Sequence, residues 1–184
     1  NPLQKAFQRR QMMKKITGIS LLCVSLMLAA LSVTSCRIYS FTGTSIQPDV
    51  KTITIGFFEN KALKVNPTLS NDLTEEVKKQ FKRMTSLEQV DVDGDLEIEG
   101  SITNYSVSTS AVGSNELAAQ NRLTIGISIT FTNRKYPEDD FEKSFSQYSD
   151  YDAEKTLESV ESELCQEIIK LLVDEIFNAT VANW

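Results

Sequence analysis

The sequence predicts an α+β fold: a two-layer sandwich in which a mostly antiparallel or mixed sheet of about four strands is covered on one face by two helices. Four segments alternate apolar and polar residues with the period of a strand. Two other segments repeat apolar residues every three or four positions, as amphipathic helices do. Their order along the chain is β-α-β-β-β-α, and two helices of this length can cover one face of such a sheet.

The first strand and the first helix are predicted at the start of the domain. In residues 51–58, apolar side chains ending with Phe57 alternate with threonine and glycine, which is typical of a strand. We expect Asn66 to cap the following helix and Pro67 to be its first helical residue, where the missing N–H of proline costs nothing. The apolar stripe of this helix is Leu69, Leu73, Val77, Phe81 and Met84.

A second strand is predicted in residues 96–107, and its alternation changes phase. Apolar residues alternate through Ile102, and the pattern then continues one position late, at Tyr105. Because a shift of one residue moves side chains to the other face of a sheet, we expect a bulge or bend near residues 103–104. The polar residues 109–120 follow and are expected to form a loop.

The third strand, residues 123–132, has the most regular alternation in the chain. Its apolar residues alternate with threonine, serine and glycine, as in an antiparallel strand with one face on the core. Residues 137–140 are expected to turn the chain, and residues 141–149 to form the fourth strand. A long amphipathic helix is then predicted from near Asp152 to the last residue, Trp184.

The region before the domain has the order of a lipoprotein signal peptide. Met13 and two lysines precede a largely apolar run, and the small residues Thr34 and Ser35 lie directly before Cys36, which resembles the lipobox pattern. We therefore expect cleavage before Cys36, a diacylglycerol and acyl groups on this cysteine, and no other cofactor. The chain then consists of upstream residues and signal peptide (1–35), the lipidated cysteine with its tether (36–49) and one domain (50–184).

An uncleaved membrane anchor is the alternative interpretation of the apolar run, which approaches the roughly 18 residues that can span a bilayer. Basic residues lie only on its N-terminal side, so either interpretation exports residues 37–184. Arg37 follows the cysteine, where an acidic residue would suggest retention in the inner membrane. We therefore expect a lipid anchor in the periplasmic leaflet of the outer membrane.

The composition of residues 36–184 narrows the function. They contain 14 Lys and Arg and 25 Asp and Glu, a formal net charge of −11, which disfavours nonspecific binding to nucleic acid. The chain has no histidine, which excludes His-dependent triads and the common zinc sites. Cys165 lies in an apolar helical pattern and is expected to be a buried, inert thiol. We therefore predict that the protein is not an enzyme.

Three aspartates, at positions 91, 93 and 95, are spaced like the first ligands of a calcium-binding EF-hand loop. Such a loop needs glycine at its sixth position and glutamate at its twelfth, and these positions hold Leu96 and Ile102. We therefore predict no metal site here and expect a turn at Asp93-Gly94 instead.

Seven segments between Cys36 and the last residue carry a resemblance to a known family. They are CRIYSFTG, ITIGFFENKA, NPTLSNDLTEEV, GDLEIEGSITNY, NRLTIGISITFTN, FEKSFSQYSDY and DEIFNATVANW. In this order they resemble the LptE family of lipopolysaccharide-assembly lipoproteins. None of them is a catalytic signature, so the resemblance depends on their order and coverage.

The resemblance implies a non-enzymatic partner of the outer-membrane β-barrel LptD. LptE-like proteins act as a plug and assembly factor for this barrel and help lipopolysaccharide pass to the outer leaflet. The family also implies contact with lipopolysaccharide through basic residues near strand ends. Lys143 is the best positional match for such a residue, and Arg122 is a weaker one.

Two other functions remain open from the sequence. The segment DVKTITIGFFEN also resembles the opening strand of curli-secretion-type pore subunits, which form homo-oligomeric rings. The domain could also be a periplasmic ligand-binding module. The native assembly of the protein would distinguish the three functions. It would be a complex with a large barrel in the first, a homo-oligomeric ring in the second and a monomer in the third.

Overall fold

The computed structural model describes residues 46–64, 66–110 and 120–182, and in these ranges the chain forms one sheet of six strands and two helices. The strands are β1 (Thr52–Ile55), β2 (Glu59–Asn60), β3 (Glu88–Gln89), β4 (Leu96–Ser110), β5 (Gln120–Asn133) and β6 (Phe141–Asp152). The helices are α1 (Leu69–Met84) and α2 (Leu157–Thr180), and one 3₁₀ turn covers Pro137–Asp139. The predicted α+β class is therefore confirmed, with six strands instead of about four.

The sheet is mixed, because the connection from β1 to β4 is a crossover, whereas the connections between β4, β5 and β6 turn the chain back. The strand order is β3-β1-β4-β5-β6, and β2 pairs with β4 beyond the end of β1. The chain passes through α1 between β1 and β4, so these two strands can run parallel. The β4, β5 and β6 strands are antiparallel neighbours. The unpredicted strands β2 and β3 have two residues each, too few to show alternation.

One face of the sheet carries the core, and both helices pack on that face. The apolar residues of β5 are at most 3% exposed: Leu123, Ile125, Ile127, Ile129 and Phe131. The two helices meet through Phe81 and Phe177, whose ring centroids lie 5.2 Å apart at an interplanar angle of 66°. The alternation of β5 thus correctly predicted which face of the sheet is buried.

The bulge predicted in β4 is present. The register of β4 against β5 shifts between Ile102 and Asn104, which leaves Thr103 without a partner residue. Because of this extra residue, Ile102 and Tyr105 both lie on the core face, and both are buried.

The first helix begins at Leu69, two residues later than the sequence predicts. Pro67 therefore precedes the helix and is not its first helical residue. The N-cap is Thr68 and not Asn66. Asn66 Oδ1 still accepts hydrogen bonds from the backbone N–H groups of Thr68 at 3.0 Å and Leu69 at 3.1 Å, so it stabilises the turn that leads into the helix.

The predicted start of the last helix near Asp152 is wrong, because α2 begins at Leu157. Residue 152 belongs to β6, where it pairs with Gln120 of β5, and its carboxylate then accepts a hydrogen bond from the backbone N–H of Glu154 at 2.9 Å. This local bond forms a turn before the helix. The predicted end is also wrong, because α2 ends at Thr180, before the last residue; Trp184 itself lies outside the described residues. No helix within those residues is both long enough and apolar enough to cross a membrane.

The predicted 109–120 loop is shorter than expected at both ends. The β4 strand continues to Ser110 and β5 begins at Gln120, where these two residues pair with each other. Residues 111–119 lie outside the described ranges.

The chain bends in residues 91–95, without a hydrogen-bonded turn at Asp93-Gly94, and the backbone there is tightly enclosed. Asp93 has a φ of 56°, in the left-handed region. A Cβ atom added to Gly94 would lie 2.6 Å from the backbone N of Thr54 and 2.8 Å from the backbone O of Leu96. Only glycine therefore fits at this position without a shift of the backbone.

Candidate partner-binding surface

The face of the sheet opposite the helices, called the open face below, is formed by β4, β5 and β6. Its centre is rich in hydroxyl groups, and Glu99 and Glu142 lie on the same face on either side of Thr130. Ser101, Ser128 and Ser144 lie opposite one another across the three strands. Further hydroxyl side chains extend this row: Ser106, Ser108, Thr124, Thr130 and Ser146. Because each hydroxyl both donates and accepts hydrogen bonds, the open face can bind a polar surface.

An ion pair stacked on an aromatic ring lies at one end of the open face. Arg122 Nε is 2.7 Å from Asp150 Oδ1, and its Nη2 is 2.8 Å from Asp150 Oδ2. The guanidinium carbon lies 3.6 Å from the ring centroid of Tyr148. The hydrogen bonds from Arg122 lower the pKa of the Asp150 carboxyl. The charge of Arg122 is thus largely neutralised within the protein.

Charges at the other end of the open face are also paired. Arg134 contacts Asp93 at 2.9 Å and Glu97 at 2.7 Å, which joins the turn before β4 to the end of β5. Asp95 accepts a hydrogen bond from the backbone N–H of Lys51 at 2.7 Å. This bond is the main reason why the pKa of Asp95 is lowered. These carboxylates stabilise the start of the sheet and are not arranged as metal ligands.

The structure does not bring the two candidate lipopolysaccharide residues together. Lys143 pairs with Ile129 on the helix-covered face, whereas Arg122 lies on the open face. The two positions are seven residues apart along β5, which corresponds to about 24 Å. Lys143 is exposed, and its Nζ lies 5.0 Å from the ring centroid of Phe145. A single phosphate group therefore cannot contact both residues.

A groove of about 570 Å³ on the open face contains an aromatic residue that the sequence placed wrongly. The alternation places Phe57 in the first strand with Ile53 and Ile55, but Phe57 is 59% exposed and Phe58 is completely buried. The reason is that β1 ends at Ile55, so the period of two no longer applies to the residues that follow. Phe57 lines the groove together with Lys61, three glutamates (Glu59, Glu99 and Glu142) and small residues of β4 and β5.

The single cysteine of the described residues is not a reactive group. Cys165 is 6% exposed, and burial raises the pKa of its thiol to about 11. It lies near Asn66, whose Nδ2 is 3.9 Å from the sulfur, and burial likewise raises the pKa of the neighbouring Tyr105. The predicted buried thiol is therefore confirmed. Tyr105 donates a hydrogen bond to Glu161, which connects β4 to α2.

Residues 46–182, apart from their two gaps, contain no group of three or more Asp, Glu or Cys side chains that could hold a metal ion. The open face provides hydroxyl groups, two arginines paired with carboxylates, the glutamates Glu99 and Glu142, and an exposed aromatic residue. A surface of this kind is typical of a domain that binds a partner. The chain is a member of the LptE family, because the model of that family, described as lipopolysaccharide-assembly, matches residues 50–180. This is a non-enzymatic family of envelope lipoproteins.

Solved structures with a similar fold include two lipoproteins. The chain is 12% identical to a minor lipoprotein from Acinetobacter baumannii, with a TM-score of 0.48, over 71% of this chain and 90% of that one. It is 11% identical to the rare lipoprotein B from Shewanella oneidensis, with a TM-score of 0.43, over 70% of this chain and 90% of that one. The comparison with curated proteins gave no match.

Proposed function

We propose that this protein is the lipoprotein subunit of the outer-membrane lipopolysaccharide translocon. In this function it is the plug and assembly factor of the β-barrel LptD while lipopolysaccharide moves to the outer leaflet. The observation that carries the proposal is the family match over residues 50–180, which covers all six strands and both helices. We further propose that lipid on Cys36 holds the domain at the periplasmic leaflet of the outer membrane.

The open face suits the polar interior of a large barrel. The lumen of such barrels is polar, so a plug must present hydrogen-bonding groups and not apolar side chains. The centre of the open face provides hydroxyl groups on three adjacent strands, and Arg122 and Arg134 at its two ends are paired with carboxylates. Glu99 and Glu142 on the same face form no ion pair with the described residues, and the water in a polar lumen can solvate these two carboxylates.

The test is the composition of the native complex. The tagged protein, extracted from outer membranes in mild detergent, is expected to elute with LptD in a ratio of about one to one, measured by native mass spectrometry. A lipoprotein with the same tag and anchor but an unrelated domain is the control for nonspecific capture. A ring made only of this chain, or a monomer without the barrel, would contradict the proposal.

Direct contact with lipopolysaccharide is a second part of the proposed function, and Lys143 is the residue to test. Lys143→Glu is expected to weaken binding of lipopolysaccharide by the purified protein by about tenfold, the loss of one charge-assisted hydrogen bond to a phosphate. Its thermal midpoint is expected to stay the same, because the side chain is exposed and forms no ion pair with the described residues. Calorimetric titration with lipopolysaccharide measures the change in affinity.

Lys170→Glu is the matched control for this charge reversal. Lys170 is also exposed, but it lies on α2, beside the groove between the two helices. Arg122→Glu is less selective, since it also breaks the pair with Asp150. Unchanged affinity in both Lys143→Glu and Arg122→Glu would eliminate the contact and leave only the plug and assembly function.

A further inference from the structure

One stretch of the sheet has a free strand edge that no described residue pairs. The β2 strand ends at Asn60, and the last hydrogen bond on that side of β4 runs from Lys61 N–H to the carbonyl of Ile102 at 2.8 Å. The β4 strand continues to Ser110, and its other side stays paired with β5 to the end. Residues 103–110, called the upper β4 edge below, are therefore open on one side within the described structure.

The direction of the backbone groups on this edge follows from the hydrogen bonds below it. The carbonyls of Ile98 and Ile102 accept hydrogen bonds from the β1–β2 side. The backbone N–H and C=O groups of these two residues therefore point away from β5. Successive residues of a strand alternate in direction, and the bulge at Thr103 shifts this alternation by one. The N–H and C=O groups of Tyr105, Val107 and Thr109 therefore point outward from the upper β4 edge.

The other free edges of the sheet are protected against pairing, and this one is not. The β3 strand has only two residues. The β6 strand carries charges along its length, including Lys143 on the helix-covered face, and an inward-pointing charge is a common protection of edge strands. The upper β4 edge, with the sequence TNYSVSTS, has no charge and no proline. Its β-branched and hydroxyl residues favour the pairing of another strand.

We propose that the upper β4 edge binds an extended, uncharged strand of the barrel partner by strand addition. The inference rests on the proposed function and specifies how the partner is held. Three outward N–H groups and three outward C=O groups set the length of the added strand. Val107 and the hydroxyls of Ser106 and Ser108 would lie beside its side chains, so small or β-branched uncharged residues fit there.

The tether of this chain cannot fill the edge. Ile46 lies beside Leu96, at the opposite end of β4, since both line one cleft. From Leu96 to Thr109, the last outward residue of the edge, the strand rises by about 43 Å. The ten residues from Cys36 to Ile46 span at most about 35 Å, and the lipid on Cys36 must stay in the membrane. A second copy is also disfavoured, because each processed chain has a formal net charge of −11 and like charges repel.

Proline substitution tests the edge selectively. In Val107→Pro, the lost N–H points away from β5, so the β4–β5 ladder is kept while strand addition is blocked. Gln89→Pro is the matched control, because it removes an outward N–H from the two-residue edge strand β3, where the neighbouring N–H groups of Glu88 and Val90 bond to the β1 side. The amount of LptD that elutes with the tagged protein is expected to fall by at least about tenfold in Val107→Pro and to remain unchanged in Gln89→Pro, as two or more hydrogen bonds are lost only in the first.

Circular dichroism verifies that both variants are folded, and Thr109→Pro, at the exposed end of the edge, replaces Val107→Pro if that variant does not fold. Equal recovery of LptD by all variants would overturn strand addition and leave the proposed function intact. Failure of the unsubstituted protein to elute with LptD would overturn both. A dimer of the unsubstituted protein that Val107→Pro dissociates, seen by analytical ultracentrifugation, would assign the edge to a second copy and overturn the proposal.

Discussion

Replacing Phe58 with alanine is expected to lower the free energy of unfolding by about 3–5 kcal/mol, as for other buried phenylalanines. The side chain is completely buried, and its ring occupies the space above Gly100, where a Cβ atom would overlap it. The backbone N–H of Phe58 donates to Thr74 Oγ1 at 3.1 Å, which ties this segment to α1. A loss of this size is a large part of the free energy of unfolding of a typical domain, which is roughly 5–15 kcal/mol. Urea denaturation measures it.

The neighbouring phenylalanine provides the control. Phe57→Ala makes the same chemical change one residue earlier, at a side chain that is 59% exposed. Its effect on the free energy of unfolding is expected to stay within about 0.5 kcal/mol, as is usual for surface positions. Similar losses in both variants would show that Phe58 is not the core residue of this segment.

A double substitution separates contact with the ring from general damage to the core. Gly100→Ala alone is expected to destabilise the protein by about 1–3 kcal/mol, because its methyl group overlaps the Phe58 ring. In the Phe58→Ala background the same methyl group enters the vacated space, so Gly100→Ala is expected to cost little or to stabilise. Additive effects of the two substitutions would contradict this packing.

The parts of the fold that could be predicted from the sequence are those in which one periodicity runs without interruption. The alternation of β5 identified the buried face, and the phase change in β4 identified the bulge at Thr103. Predictions failed where an element ended. The β1 strand ends at Ile55, before Phe57, and Asp152 belongs to β6, where it pairs with Gln120 of β5. Such boundaries depend on pairing partners that are distant in sequence.

Part of the candidate site could also be predicted. Lys143 lies two residues from both Phe141 and Phe145, which places it on the apolar face of its strand. Arg122 lies an even number of residues from the polar residues of β5 and therefore on their face. These positions in the alternation are sufficient to assign the two residues to opposite faces of the sheet. The free edge of β4 could not be found in this way, because it depends on where β2 stops along β4.

The anchor gives the other large expected effect. Cys36→Ala is expected to move the protein from the membrane fraction to the soluble periplasmic fraction in a host that lacks the cognate barrel, so that binding to LptD cannot retain it. Each buried methylene of an acyl chain contributes about 0.8 kcal/mol, and two or more chains hold a protein firmly in a bilayer. Removal of the thiol that carries them therefore removes almost all membrane affinity. Fractionation and immunoblotting measure the distribution.

Cys165→Ser is the matched control for loss of a thiol. Cys165 is buried between the sheet and the helices, so this variant is expected to keep the anchor and to stay in the membrane fraction. Mass spectrometry of the unsubstituted protein is expected to show a chain that begins at residue 36 and carries diacylglycerol. If Cys36→Ala stays in the membrane fraction, with the mass of a chain that retains residues 16–35, the apolar run is an uncleaved anchor. In that case the domain is still exported, because the basic residues lie only on the N-terminal side of the run.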